Sequence, residues 1–212
     1  MGRLRLGLVL VVVVGGACVY VGALHPRQRV PDHPYFDAST EPWVVAHRGG
    51  AALAPENTLE AFRQARDLGV DVLEMDLRVT ADGAFAVIHD ATVDRTTAGR
   101  GRVSEMTLAE IQALDAGARF LDEAGENVHR DAGLRVPALP EVLRRFPDIR
   151  LNVEMKEFTV DQARSLCSLL REHDATARVL VSSFGHEPME ALRSACPEVP
   201  TGATRREVVA FD

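Results

Sequence analysis

The sequence has little of several features that mark particular protein classes. Three cysteines in 212 residues, with no C-x-x-C pair, exclude a disulfide framework and give no sign of a zinc site. Lys and Arg number 24 against 31 Asp and Glu, so the formal net charge is −7. General nucleic-acid binding depends on clustered basic residues that meet phosphates, so this acidic balance argues against it. Internal repeats and low-complexity tracts are also absent.

Two common catalytic and nucleotide-binding signatures are missing as well. Ser182 and Ser183 follow a predicted strand, but no G-x-S-x-G surrounds them, so neither is predicted to be a nucleophile. Segment 96–101, TTAGRG, lacks the GK[ST] ending of a P-loop and is interpreted as a turn. The sequence does have 46% apolar and 26% charged residues, the balance of a folded globular domain.

The longest apolar run lies near the amino terminus. Residues 6–24 form 19 uncharged residues, which as a helix at about 1.5 Å per residue nearly span the roughly 30 Å bilayer core. Arg3 and Arg5 precede the run, which predicts a cytoplasmic amino end and an exported remainder. Signal peptides have apolar centres of about 7–15 residues, so the longer run favours a retained anchor. We expect residues 1–24 to be a single-pass anchor that holds the domain outside the cell membrane. If the segment is cleaved, the domain would be secreted.

The segment that follows, 25–42, is rich in Pro, His, Arg and Asp and is interpreted as a linker. An exported domain would place Cys167 and Cys196 in an oxidising compartment, where they could pair. Cys167, however, lies in an apolar helical pattern, so the preferred interpretation is a small core residue.

Residues 43–212 alternate short apolar strands with helical patterns, which predicts an α/β domain with a mostly parallel sheet. Asn57 and Glu60 are predicted to form a capping box at the start of the first helix. The stretch 91–135 holds only one clear helix and is too long for an ordinary loop. We therefore expect it to be a functional insertion. The predicted strands lie at 44–46, 70–77, 85–88, 149–155 and 179–181, with a weak one near 199–203.

Two predicted strands carry charge on one face. Glu74 and Asp76 are two residues apart, as are Glu154 and Lys156, so each pair shares a strand face. Burying such charges without partners costs several kcal/mol. Internal salt bridges with Lys156 and Arg78 are one interpretation, but acids outnumber bases on these faces. A divalent cation held by Glu74, Asp76 and Glu154 explains this better, and three hard oxygen ligands suit Ca²⁺ or Mg²⁺ rather than zinc.

Two histidines follow other predicted strands, at the edge where α/β proteins build their sites. His47 and His89 could take and give a proton near neutral pH, on opposite sides of a reacting group. Arg48 and Lys156 supply positive charge for a phosphate.

Seven motifs occur in order along the chain: HRG, PENT, E-x-D, HD, RTTAGRG, TLAEIQALDAG and NVEMK. Taken together they resemble those of the glycerophosphodiester phosphodiesterases, from Trp43 to about Phe184. The resemblance implies a (β/α)₈ barrel with an insertion near the site. It implies that His47 and His89 are the acid–base pair, that Arg48 and Lys156 contact phosphate, and that the cation is held by Glu74, Asp76 and Glu154.

The family hydrolyses a glycerophosphodiester to glycerol 3-phosphate and an alcohol. The implied reaction proceeds through attack by a glycerol hydroxyl and a cyclic phosphate, and the sequence leaves open which histidine is acid and which is base. Asn57 would order the first loop. Two alternatives stay open: a phospholipase D-like hydrolase of lysophospholipids or sphingolipids, and a membrane-anchored phosphate-ligand binder without catalysis.

The length departs from the family pattern. A complete barrel takes about 250 residues, whereas residues 43–212 number 170. At roughly 30 residues per βα unit, we expect an incomplete barrel of about six units. The family usually has an aromatic residue, often Trp, late in the barrel, but Trp43 is the only tryptophan here.

Overall fold

The computed structural model describes residues 12–14, 17–19, 32–36 and 42–210. Two short strands, β1 (Val12–Val14) and β2 (Ala17–Val19), form an antiparallel pair. These described residues of the predicted 6–24 helix are strand rather than helix, and the rest of that segment lies outside the described residues, as does most of the predicted linker. No helix among the described residues is long and apolar enough to cross a bilayer.

The main sheet contains four parallel strands in the order β3-β4-β6-β7, with β5 antiparallel to β4. The sheet confirms the predicted α/β class. Its strands are β3 (Val45–Ala46), β4 (Val72–Val79), β5 (Phe85–Val87), β6 (Arg150–Met155) and β7 (Val179–Ser182).

Six α-helices among the described residues connect or flank these strands, and capping boxes at Thr107 and Thr159 begin two of them. At the first helix the cap is Thr58 rather than Asn57, since Thr58 Oγ1 accepts a hydrogen bond from the Ala61 amide. The helices are α1 (Leu59–Asp67), α2 (Leu108–Gln112), α3 (Leu139–Arg145), α4 (Val160–Glu172), α5 (His186–Ala195) and α6 (Arg205–Val209).

The strand predicted at 85–88 does not begin a parallel unit of its own. The turn between β4 and β5 includes Gly83 at φ 80° and is closed by a hydrogen bond from the Ala84 amide to Thr80 Oγ1. So short a connection allows only an antiparallel hairpin, because a parallel crossover needs a dozen or more residues. A further parallel position is a single bridge between Thr201 and Val181. The described residues therefore supply four parallel strands and one parallel bridge, which is five βα units rather than the expected six or so.

Two hydrophobic cores support the domain. The larger core packs one face of the sheet against the helices, and Leu73, Met75 and Leu77 of β4 are fully buried in it. At roughly 1.5–3 kcal/mol for each such side chain, this face fixes the orientation of the strand. A second, smaller core lies under the insertion and includes Ile88 and Ile111.

Cys167 and the predicted linker each differ in part from the sequence interpretation. Cys167 of α4 forms a disulfide bond with Cys196, which follows α5, so it is both a buried core residue and a bridge. Part of the predicted 25–42 linker packs on the domain. Tyr35 is 3% exposed, and its carbonyl accepts a hydrogen bond from Arg150 Nε at 2.7 Å. The Arg150 guanidinium also lies 4.7 Å from the centre of the Trp43 ring.

Candidate active site

Two neighbouring parallel strands bring the predicted acids together. In the register of β4 and β6, Asp76 pairs with Glu154 and Glu74 pairs with Asn152. These positions alternate with the apolar ones, so the three acids share the side of the sheet that faces away from the larger core. Glu74, Asp76 and Glu154 each place one carboxylate oxygen within 4.8 Å of the other two.

Two of these carboxylates are buried and that of Glu154 is partly buried, and their counterions satisfy them only in part. Asp76 is 1% exposed and Glu74 is 7% exposed. Lys156 Nζ lies 3.1 Å from Asp76 Oδ1 and 2.6 Å from Glu154 Oε1, and Arg48 Nε lies 3.3 Å from Asp76 Oδ2. These are ion-pair distances without hydrogen-bond geometry. Asp76 Oδ1, Glu154 Oε1 and Arg48 Nε have no hydrogen-bond partner among the described residues.

Arg78, the other counterion considered for an internal salt-bridge network, is used elsewhere. Its guanidinium donates to Glu157 Oε2 at 2.8 Å and to the carbonyl of His89 at 2.7 Å. Buried carboxylate oxygens without hydrogen bonds are the donor set that Ca²⁺ or Mg²⁺ takes. The three acids therefore fit a divalent cation.

The pKa of Glu74 shows the same shortage of positive charge. Burial raises it from the usual 4.5 to about 7, and the negative charges of Asp76 and Glu154 act in the same direction. The hydrogen bond from the Arg48 amide and the charge of Lys156 oppose this rise but do not cancel it. An added cation would favour the ionised form of Glu74.

The HRG motif forms a tight turn at the end of β3. His47–Gly49 is one turn of 3₁₀ helix in which Arg48 has φ 52° and Gly49 has φ 78°. A Cβ atom at Gly49 would lie 2.7 Å from Phe62 Cδ1, so only glycine fits there. The turn directs the Arg48 amide to Glu74 Oε2 at 2.7 Å. The backbone that carries His47 and Arg48 is thereby tied to the acid cluster.

The two predicted histidines differ in their surroundings. His89 Nδ1 lies 2.6 Å from Asp90 Oδ1, and its ring is 32% exposed. The side chain of His47 is exposed and makes no hydrogen bond to any residue in the described ranges. His89 is therefore oriented by the protein, while His47 is free to turn.

Asn57 has a role that the sequence did not reveal. It is 3% exposed at φ 58°, and its Nδ2 donates to Asp76 Oδ2 at 2.9 Å. Its Oδ1 accepts from the Asp76 amide at 3.3 Å. In the PENT motif, Asn57 has the residue type of a helix cap, which hid its contact with the site. The next residue, Thr58, is also a good cap and could have been recognised as the actual one.

Glu56 and Arg95 were also missed. Arg95 donates to both oxygens of Glu56, at 2.8 and 2.7 Å, and Glu56 Oε1 accepts from Arg48 Nη1 at 3.1 Å. These residues are 39 positions apart, so no local pattern connects them.

Comparisons with known proteins find one family over most of the chain. The family model for the glycerophosphoryl diester phosphodiesterase family matches residues 47–208. A glycerophosphodiester phosphodiesterase of Caldanaerobacter subterraneus subsp. tengcongensis is 40% identical over 164 residues, which are 75% of this chain and 65% of the relative.

Solved structures show the same similarity. A glycerophosphodiester phosphodiesterase from Agrobacterium tumefaciens has a TM-score of 0.66 and 34% identity, over 76% of this chain and 66% of that one. An Oleispira antarctica phosphodiesterase in complex with the product sn-glycerol-3-phosphate has a TM-score of 0.64 and 28% identity, over 76% and 65% of the two chains. The chain thus spans slightly less than two thirds of each of these relatives.

Proposed function

The chain belongs to the glycerophosphoryl diester phosphodiesterase family, and from this premise we propose that it hydrolyses glycerophosphodiesters to glycerol 3-phosphate and an alcohol. One observation carries the proposal: three acids lie together on the sheet, two of them buried and two with an oxygen that lacks a hydrogen bond among the described residues, and the cluster is tied to the turn that holds His47 and Arg48. The Oleispira relative, which binds this product, supports the substrate class.

Glu74, Asp76 and Glu154 would hold a divalent cation, Ca²⁺ or Mg²⁺. The bound ion would supply positive charge next to the phosphoryl oxygens. Arg48 and Lys156, both already among these acids, would contact the phosphate of the substrate, and the fork of the arginine suits two phosphate oxygens.

His47 and His89 would move the protons. One removes a proton from the glycerol hydroxyl next to the phosphate, and the resulting oxygen attacks phosphorus. The other histidine donates a proton to the departing alcohol oxygen as its bond to phosphorus breaks. Water then attacks the cyclic phosphate and the proton movements reverse, which gives glycerol 3-phosphate and restores both histidines. Since His89 Nδ1 faces Asp90, its Nε2 is the nitrogen that meets the substrate.

The test separates proton transfer from cation binding. In the full-length chain, His47→Ala and His89→Ala should each lower kcat for glycerophosphocholine by about 10²–10⁴-fold, while calorimetric affinity for Ca²⁺ or Mg²⁺ is unchanged. His173→Ala, at the end of α4, is the matched control and should leave both quantities unchanged. A variant that loses cation binding together with turnover would contradict the acid–base assignment.

The complete fold and the cellular location are two further proposals. We propose that the parallel strands form part of a (β/α)₈ barrel, which their order β3-β4-β6-β7 supports. We propose that the domain lies outside the cell membrane, held by residues 1–24. The apolar run, Arg3 and Arg5 support this location, and the Cys167–Cys196 bond suits an oxidising compartment. Protease added to intact spheroplasts should digest an exported domain and spare a cytoplasmic one.

A further inference from the structure

One arginine of the RTTAGRG motif joins the loop after β3 to the loop after β5. Arg95 donates through Nη1 and Nη2 to both oxygens of Glu56, at 2.8 and 2.7 Å. It donates through Nε and Nη2 to both oxygens of Asp90, at 2.7 and 3.1 Å. A single guanidinium thus makes two bidentate pairs, the strongest arrangement available to it.

Each carboxylate held by Arg95 also contacts a residue of the proposed reaction. Asp90 Oδ1 lies 2.6 Å from His89 Nδ1, and Glu56 Oε1 accepts from Arg48 Nη1 at 3.1 Å. The contacts run in series from His89 to Arg48 with Arg95 at the centre. The direction of the imidazole and the direction of the phosphate-contacting arginine therefore depend on the same guanidinium.

Both carboxylates are kept ionised. The hydrogen bonds from Arg95 hold the pKa of Asp90 well below its usual range. Burial acts to raise the pKa of Glu56, but the hydrogen bonds and charges of Arg95 and Arg48 outweigh it and lower that pKa. An ionised carboxylate can only accept hydrogen bonds, so the contact with Asp90 requires a proton on His89 Nδ1.

Arg95 is not needed to hold its own loop. Thr97 is fully buried, its Oγ1 donates to the Val93 carbonyl at 2.8 Å, and its carbonyl accepts from Arg119 Nε at 2.8 Å. These contacts fix the 93–97 turn from within. The guanidinium of Arg95, in a side chain that is 48% exposed, is directed at the two carboxylates instead.

We propose that Arg95 is a positioning residue: it holds Asp90 against His89 and Glu56 against Arg48, and so sets the tautomer of the histidine and the aim of the arginine together. This inference rests on the proposed hydrolysis for its effect on rate. Its effect on the His89 ring can be measured without turnover.

The first measurement is kinetic. Arg95→Gln should lower kcat for glycerophosphocholine by about 10²-fold, since a small displacement of a reacting group costs about that much. The kcat of Arg95→Lys should lie between those of the wild-type chain and Arg95→Gln, because an ammonium keeps the charge but cannot pair with both carboxylates bidentately. Millimolar ethylguanidinium should restore part of the activity of Arg95→Ala. Affinity for Ca²⁺ should be unchanged, because Arg95 contacts none of the three acids.

Arg100→Gln is the matched control, since Arg100 lies in the same motif, is exposed, and makes no hydrogen bond or ion pair with a described residue. It should retain full activity. A purely structural role for Arg95 predicts instead a lower Tm and no rescue by ethylguanidinium, and that result would overturn the proposal.

The second measurement is the ¹⁵N spectrum of the imidazole rings at alkaline pH, with His89→Gln to assign the signals. The wild-type chain should show His89 protonated at Nδ1, and Arg95→Gln should show a mixture of tautomers. An unchanged tautomer of His89 in Arg95→Gln would refute the positioning role of Arg95 and would leave the proposed hydrolysis standing. Absence of hydrolysis by the wild-type chain would refute the proposed function, and the spectra would still test the positioning of the ring.

Discussion

Two clusters in the described part of the chain bring three metal-ligating side chains within 4.8 Å of one another, and they differ in how their charges are met. One is the site cluster, Glu74, Asp76 and Glu154. The other, which we call the helix cluster, is His186 and Glu190 of α5 with Glu207 of α6. Distance alone would give both clusters the same chance of holding an ion.

In the helix cluster, one arginine and a helix cap satisfy the acids. Arg193 Nη1 donates to Glu190 Oε1 at 2.7 Å and pairs with Glu207 Oε1 at 2.5 Å. Glu207 Oε2 accepts from the Thr204 amide at 2.7 Å. The hydrogen bonds from Arg193 and Thr204 lower the pKa of Glu207 to about 2.

The site cluster shows the opposite pattern. Burial raises the pKa of Glu74 to about 7, and one oxygen each of Asp76 and Glu154 has no hydrogen bond from the described residues. The difference between the two clusters shows that a short distance between carboxylate or imidazole ligands is not enough to define a cation site. A cation is favoured where carboxylates are buried and their oxygens are unsatisfied, and it gains nothing where an arginine already occupies them.

The largest effect that tests this contrast is on cation affinity. Asp76→Asn should weaken Ca²⁺ binding by about 10²-fold or more, because affinity in such sites follows the number of charged ligands. The amide oxygen can still accept from Asn57, so the variant should fold. Calorimetric titration with Ca²⁺ and Mg²⁺ measures the change. Glu207→Gln is the control and should bind as the wild-type chain does, and a loss of affinity there would remove the distinction between the clusters.

The next effect is on stability, and its direction differs between the clusters. Arg193→Gln should lower the free energy of unfolding by about 1 kcal/mol, because it leaves Glu190 and Glu207 without their charged donor at a partly exposed site. Glu74→Gln, which removes one of three crowded charges, should not lower it when no cation is added. Urea unfolding with EDTA present measures both variants. Equal losses in the two variants would show that the acids of the site cluster are as well satisfied as those of the helix cluster.

The smallest effect is a dependence on pH. Because the pKa of Glu207 is depressed to about 2 from 4.5, its contribution to stability is complete above about pH 4.5 and is lost as pH falls toward 2. Glu207→Gln should therefore be less stable than the wild-type chain at pH 6, by less than about 1 kcal/mol for so exposed a pair. The gap should narrow at pH 2.5. Urea midpoints at both values measure it, and a constant gap would contradict the assignment.

The sequence predicted the features that depend on local periodicity. A period of two placed Glu74 and Asp76 on one face of β4 and Leu73, Met75 and Leu77 on the other, and the structure has this arrangement. The family resemblance is confirmed by the match over residues 47–208. The roles of the site residues stay predictions, for which the geometry gives specific tests.

What the sequence did not predict depends on contacts between distant residues or on the direction of a chain reversal. The tie between Glu56 and Arg95 and the Cys167–Cys196 bond require the Cα atoms to approach in space, 5.8 Å in the case of the cysteines. The hairpin of β5 followed from a turn too short for a crossover, and the apolar pattern of 85–88 gave no sign of strand direction.

The insertion has its own small core, in which Val93, Val103 and Ile111 are buried apart from the larger core that supports the sheet. Substitutions in its outer loops therefore need not disturb the strands that carry Glu74 and Glu154. Under the proposed function, changes in these outer loops would alter the entrance to the site, and with it the choice of leaving alcohol, while the sheet and Arg95 stay constant. The outer part of the insertion would then be exchangeable without loss of the frame beneath it.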